Sequence, residues 1–314
     1  MIGIGTSISK GQVINDPSSI SDLVLWYDFT NISSLRKNRD GTSAVTANND
    51  IVHWAQNLAS GDANGIMGSF MRSAATGASY GGTFKIPPSG QSYIQFDSDG
   101  TEQTRGFRSG FISADATDDG GVAADKFSDV SLDTDNMTVI QVFKHDDAAI
   151  EADDHSLFIH GYPASGSTTD NFNITIFKEE GDEKLYYNYI AAVGGVTFEN
   201  TVSNDALDTN VHLMVQRSAS GTNNMTMEID GVQQADTDTA ADLTLKLDKS
   251  TGYATASAGA ASVSIGGEIS DNTTSLKSFH GAIYETLIYN RALDLVELAS
   301  LEVYFAGKYG ITIS

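Results

Sequence analysis

The sequence predicts an all-β protein, a sandwich or barrel of many short strands with one helix near its C-terminus. Three observations predict it. Apolar residues recur at every second position through most of the chain, the period of a half-buried strand. Turn formers are abundant, with 30 Gly but only 4 Pro among Ser-, Thr-, Asn- and Asp-rich segments, a composition that suits frequent turns and disfavours helices. Only one segment shows the three- and four-residue apolar spacing of a helix. Single β domains reach ~200–250 residues, so 314 residues fit one large domain with insertions, or one domain and an arm.

In chain order, residues 1–20 read as a polar N-terminal arm, and residues 21–314 as the domain. In DLVLWYDF, Leu23, Leu25, Tyr27 and Phe29 share one face, and Val24, Trp26 and Asp28 the other. Strands are then expected at 51–54, 93–96, 137–143, 156–160, 172–177, 185–190, 211–216, 225–229, 243–247, 263–266 and 283–289. MTVIQVF and YETLIY are apolar on both faces, which predicts strands covered on both sides. Asp230-Gly231, between MTMEI and VQQA, predicts a tight hairpin turn with positive φ. Asp294 and Glu297 form a capping pair ahead of Leu295, Leu298, Leu301 and Phe305, with Gly307 and Gly310 closing the helix. The expected place of this helix is over an open sheet edge. Long acidic insertions are expected around 98–135 and 145–154.

Charge and residue types narrow the function. With 41 acidic and 18 basic side chains the formal charge is −23, which excludes nucleic-acid binding through the chain's own basic surface. Such acidity at 19% total charge suits solubility in salty water. The absence of cysteine removes disulfides, thiol catalysis and thiolate metal sites. The six histidines, His53, His145, His155, His160, His212 and His280, form no zinc-binding spacing. Phosphate loops, dinucleotide loops and serine-nucleophile elbows are missing. No run of ~20 apolar residues exists, so membrane insertion is not expected, and MIGIGTSISKG lacks the basic and apolar regions of a signal peptide.

LVLWYDFTNISSL, IVHWAQNLASGDANG and YIQFDSDG, then VHLMVQRSASGTNNMTMEIDGV, then FHGAIYETLIYNRALDLVELASLEVYFAGKYGI, together resemble the concanavalin A-like, laminin-G-like domain family over about residues 22–312. The resemblance implies a jelly-roll β-sandwich. MIGIGTSISKG also resembles the starts of structural proteins of marine tailed phages. What the two resemblances imply is a non-enzymatic protein on a particle surface, a phage virion protein decorating a capsid or carried on a fibre. Its partners would be other virion proteins or sister subunits, reached through the arm by Ile2, Ile4, Ile8, Val13 and Ile14, and cell-surface glycan. The alternatives are a carbohydrate-binding bacterial adhesion module, at the cell surface or outside it, and a glycoside hydrolase of concanavalin A-like fold.

Each alternative names residues. A hydrolase of this fold carries Glu-x-Asp-x-x-Glu on a strand; Glu228-Ile229-Asp230 begins that pattern, but Gln233 stands at the third carboxylate and Gly231 breaks the strand, so no catalytic residue is expected. Glycan contact needs exposed aromatics beside polar loops, for which Tyr80, Phe107, Tyr162 and Tyr253 are the candidates; the alternative, which the residues favour, is that they plug loops onto the sandwich. Calcium is the cofactor that the resemblance implies. Asp146, Asp147, Glu151, Asp153 and Asp154, or Asp97 and Asp99, carry the oxygen ligands it wants; plain solvation in an acidic chain explains the same residues.

Overall fold

The computed structural model describes residues 16–37, 42–59, 66–70, 82–96, 106–108, 136–145, 155–161, 172–178, 184–190, 197–203, 210–219, 225–234, 262–266 and 279–314. In chain order the elements are β1 (Leu23–Asp28), β2 (Leu35–Arg36), β3 (Trp54–Gln56), β4 (Ile66–Phe70), β5 (Thr83–Lys85), β6 (Tyr93–Phe96) and β7 (Gly106–Arg108). They continue with β8 (Met137–His145), β9 (His155–Gly161), β10 (Phe172–Lys178), β11 (Lys184–Ile190), β12 (Thr197–Ser203) and β13 (His212–Ser218). The last are β14 (Met225–Ile229), β15 (Val232–Gln233), β16 (Ser262–Ile265), β17 (Gly281–Tyr289) and the helix α1 (Leu295–Tyr309).

These strands form two antiparallel sheets packed as a jelly-roll β-sandwich. The first runs β15-β14-β13-β8-β17-β6-β5, with β1 also on β17; the second runs β12-β11-β10-β9-β16-β7-β4-β3-β2. Between them lies one apolar core, in which Leu25, Tyr27, Phe29, Ile94, Phe96, Val139, Phe143, Met214 and Ile283 of the first sheet meet Leu35, Ala55, Phe107 and Ile265 of the second. A second cluster lies on the outer face of the first sheet. There Ile140, Val142, Leu213, Val215, Leu287 and Tyr289 pack beneath Leu298, Leu301 and Phe305 of α1.

That second cluster explains why β8 and β17 are apolar on both faces, and it corrects the expected place of the helix: α1 covers a sheet face, not an edge. Its N-terminus is capped as the sequence predicts, with Asp294 accepting from the Val296 and Glu297 amides and Glu297 accepting from the Asp294 amide. Gly310, at φ 73°, caps its C-terminus, and Gly307 lies inside the helix. Leu295, expected on the buried stripe, is 76% exposed. Arg291 ties the helix start to the chain start through Glu297 and Asp22. Beside it, the Tyr289 hydroxyl donates to the Pro17 carbonyl and Ile20 is buried, so residues 17–20, within the expected arm, sit on the domain.

Two irregularities decide which side chains share a face. In β1 the register with β17 shifts between Leu23 and Leu25, sending Leu23 to the outer cluster and Val24 to the inner one, against strict alternation. The buried Asn57 side chain occupies that spot, accepting from the Trp26 amide at 2.8 Å and donating to the Val24 carbonyl at 3.0 Å. In β17 the register with β8 shifts between Ile283 and Glu285. Both Tyr284 and Glu285, consecutive in sequence, therefore lie on the outer face, which is what a β-bulge does when it re-aims a side chain. The Asp230-Gly231 turn is as predicted, at φ 52° and 79°.

Candidate functional site

The β17 bulge organises the outer face around the C-terminal end of α1. Asp28 of β1 stands directly across from Glu285 of β17, an arrangement of like charges that destabilises a sheet unless something intervenes. Lys308 of α1 intervenes: its Nζ lies 2.9 Å from Asp28 Oδ2 and 2.7 Å from Glu285 Oε2. Trp26 Nε1 donates to Glu285 Oε1 at 2.6 Å, and the Tyr309 hydroxyl donates to Glu285 Oε2. The Glu285 side chain has no exposed surface.

One ammonium shared between two carboxylates leaves the site unbalanced. Burial, and then the Asp28 charge, push the Glu285 carboxyl up to about 7 against the pull of Lys308 and Tyr309. Burial alone would lower Lys308, but two flanking carboxylates outweigh it and raise the ammonium above its ordinary value. The Tyr309 phenol is pushed well up by burial and by Glu285. Glu285 thus behaves as a structural acid that fastens the helix end to the sheet, with no space beside it for a reacting molecule.

Next to this network the helix leaves part of the outer face uncovered, forming a cleft of about 340 Å³, within the usual size range of small-molecule sites. Tyr93 and Tyr284 lie with ring centres 5.2 Å apart, and Tyr284 and Tyr309 5.5 Å apart, edge to face. These three rings make a continuous wall. Gln91, Gln95, Ser89 and Lys144 supply polar groups on the other sides. The Gln91 side chain donates to the Lys308 carbonyl, which ties the β5–β6 loop to the helix end. Burial and the neighbouring Tyr93 push the Tyr284 phenol up to about 12, so near neutral pH its hydroxyl can both donate and accept. The cleft offers an aromatic wall of mutually tilted rings, bordered by amide, hydroxyl and ammonium groups.

Of the aromatic candidates from the sequence, Phe107 is corrected. Its ring has no exposed surface and is packed 5.6 Å from Phe29 and 5.8 Å from Phe96, between the sheets, because Gly106–Arg108 is a strand rather than a loop. Tyr80, Tyr162 and Tyr253 lie outside the described residues, as do Asp97, Asp99, Asp146, Asp147, Glu151, Asp153 and Asp154 and the arm residues Ile2, Ile4, Ile8, Val13 and Ile14. Among the described residues no group of three or more His, Asp or Glu side chains is placed to hold a metal ion. Glu228 is half-buried on β14, opposite Gln233, and burial raises its carboxyl. Asp230 serves the hairpin, accepting from the Leu213 amide and lying 2.7 Å from His212 Nδ1. Trp26 and Trp54 are only partly buried, Trp54 stacking under the Arg36 guanidinium at 5.2 Å.

Sequence reading missed the cleft because its parts are far apart: Tyr93 sits on β6, Lys144 on β8, Tyr284 at the bulge and Tyr309 on α1. Alternation in YIQF and VFKH does place Tyr93, Gln95 and Lys144 opposite the core-facing residues. The bulge is the piece that alternation could not supply.

No known family pattern and no characterised protein matches the sequence. Among solved structures, the chain is similar to the CBM40 of the Ruminococcus gnavus IT-sialidase bound to α2,3-sialyllactose, at 13% identity and a TM-score of 0.43 over 67% of this chain and 95% of that one. It is similar to the binding domain of botulinum neurotoxin DC in complex with rat synaptotagmin II, at 9% identity and 0.48 over 90% of this chain and 51% of that one. A third is a Trypanosoma rangeli sialidase in complex with sialic acid, at 12% identity and 0.42 over 77% and 33%.

Proposed function

We propose that the chain is a non-enzymatic carbohydrate-binding module that takes its ligand in the Tyr93/Tyr284/Tyr309 cleft. The observation that carries this reading is the wall of three contiguous tyrosine rings, faced by amide, hydroxyl and ammonium groups. A pyranose has the matching chemistry, with a C–H face for the rings and hydroxyls at its rim for Gln91, Gln95 and Ser89. The wall is also held before any ligand arrives, because Tyr309 is fastened to Glu285 and Tyr284 is fixed by the bulge. Ordering the site in advance removes part of the entropy that binding would otherwise cost.

Hydrolysis needs two carboxyl groups flanking the glycosidic bond, and no carboxylate is among the described residues that line the cleft. Glu285 is sealed beneath Tyr309. The virion reading leaned on the arm, of which residues 1–15 lie outside the described residues, and the cleft favours the adhesion-module alternative, acting at a glycan-bearing cell surface or outside the cell. The test is an array of neutral and acidic glycans probed with the full chain and with Tyr93→Ala. Tyr93 is only partly buried, so the variant should fold. Saccharide binding that weakens at least about 10-fold in the variant, worth about 1.4 kcal/mol, fits the reading. An array without binders, or binding indifferent to Tyr93, overturns it.

A further inference from the structure

Among the side chains that the structure describes, Lys144 is the cation left unpaired. The other cationic side chains that the structure describes are engaged: Lys37 with Asp50, Lys85 with Asn49, Arg291 with Asp22 and Glu297, and Lys308 with Asp28 and Glu285. Arg217 donates to the Leu293 carbonyl, and Arg36 to the Ser33 and Leu35 carbonyls. Among the described residues the Lys144 ammonium has no hydrogen-bond or ion-pair partner, and it sits half-buried in the cleft beside the tyrosine wall. In a chain with 41 carboxylates against 18 cations, a cleft whose described lining holds one cation and no carboxylate departs from the overall composition.

Resting on the glycan-binding reading, we infer that the cleft selects a sugar bearing one negative charge, with Lys144 taking the anionic group while the tyrosine wall takes the ring. A single ammonium matches one unit of charge. A carboxylate or a sulfate ester supplies that unit, whereas a phosphate monoester carries about −1.5 to −2 and would want a second cation or an arginine fork. Partial burial makes the contact stronger than the same pair would be in open water. The −23 field of the whole chain opposes an approaching anion. At 0.15 M salt, however, charges beyond ~8 Å are largely screened while a contact pair is not. Selectivity therefore comes from the cleft, not from the protein's overall charge.

The test is calorimetric titration at 0.15 M salt with trigalacturonate and 3′-sialyllactose as carboxylated probes, a 6-sulfated galactotriose as the sulfate probe, and galactotriose and lactose as neutral partners. The expected result is that at least one charged probe binds about 10-fold or more tightly than its neutral partner. Lys144→Gln, checked for an unchanged melting temperature, should erase that advantage, bringing charged and neutral partners to equal affinity, and Lys144→Glu should invert it. Which charged probe wins distinguishes carboxylate from sulfate. Equal binding of charged and neutral partners, or an advantage that survives Lys144→Gln, overturns the charge selection and leaves the glycan reading standing. Failure of all the probes to bind overturns the charge selection, and a glycan array that is also blank overturns both.

Discussion

Neutralising Glu285 should remove a definite part of the protein's pH dependence. Its carboxyl moves from an ordinary 4.5 to about 7 in the folded chain, because burial and Asp28 together outweigh Lys308. A raised carboxyl means that the folded state holds the proton more tightly than the unfolded chain. Between pH 4.5 and about 7 the native state therefore binds more protons, and unfolding free energy falls as pH rises through this window. At 1.36 kcal/mol per pH unit, the interval is worth about 3 kcal/mol, and full burial leaves no solvent screening to discount. Asp50 and Glu297, whose carboxyls are lowered by hydrogen bonds, act in the opposite sense below their ordinary values, outside the pH 5–8 range. Urea unfolding of the native chain and of Glu285→Gln at pH 5 and pH 8 isolates the effect. The native chain should lose about 3 kcal/mol more than the variant between the two pH values, whatever the variant's absolute stability. Parallel losses would refute the reasoning, since they would mean that Glu285 is ionised in the folded state throughout.

Other perturbations follow from the same contacts. Lys308→Met leaves Asp28 and Glu285 facing each other unbridged, and should cost about 3–5 kcal/mol, as breaking a buried ion pair does; urea midpoints at pH 8 will show it. Glu228→Gln should leave glycan binding unchanged, and neither protein should release reducing sugar from soluble β-glucans or galactans. Release that disappears in the variant would restore the hydrolase reading. Deleting residues 1–20 exposes the surface covered by Ile20 and strips the Tyr289 hydroxyl of its acceptor, which should cost about 3 kcal/mol. An unchanged melting temperature would contradict that seating.

Much of this fold was legible in the sequence because its signals are local. Asp230-Gly231 fixes a turn through φ alone, the Asp294/Glu297 pair fixes a helix start through hydrogen bonds within one turn, and doubly apolar β8 and β17 announce cover on both faces. Weaker signals failed where neighbours decide the outcome. TFENTVS is too polar to read as a strand, yet it pairs along its whole length with β11. GFR is too short, yet Phe107 fills the core between Phe29 and Phe96. Helical spacing gave the apolar stripe of α1 but not the surface beneath it, and so the face was mistaken for an edge. The cleft depends on the slip of register between Ile283 and Glu285, which pairing with β8 sets and which no periodicity in YETLIY displays.

The central claim, that the tyrosine cleft is where saccharide binds, is tested most directly by tyrosine-ring-labelled NMR during titration with the tightest-binding glycan of the array. Among the 12 tyrosines, the account predicts that the ring resonances of Tyr93, Tyr284 and Tyr309 shift first and saturate together, assigned through single Tyr→Phe variants. Saturable shifts confined to other tyrosines, with these three unmoved, would contradict it.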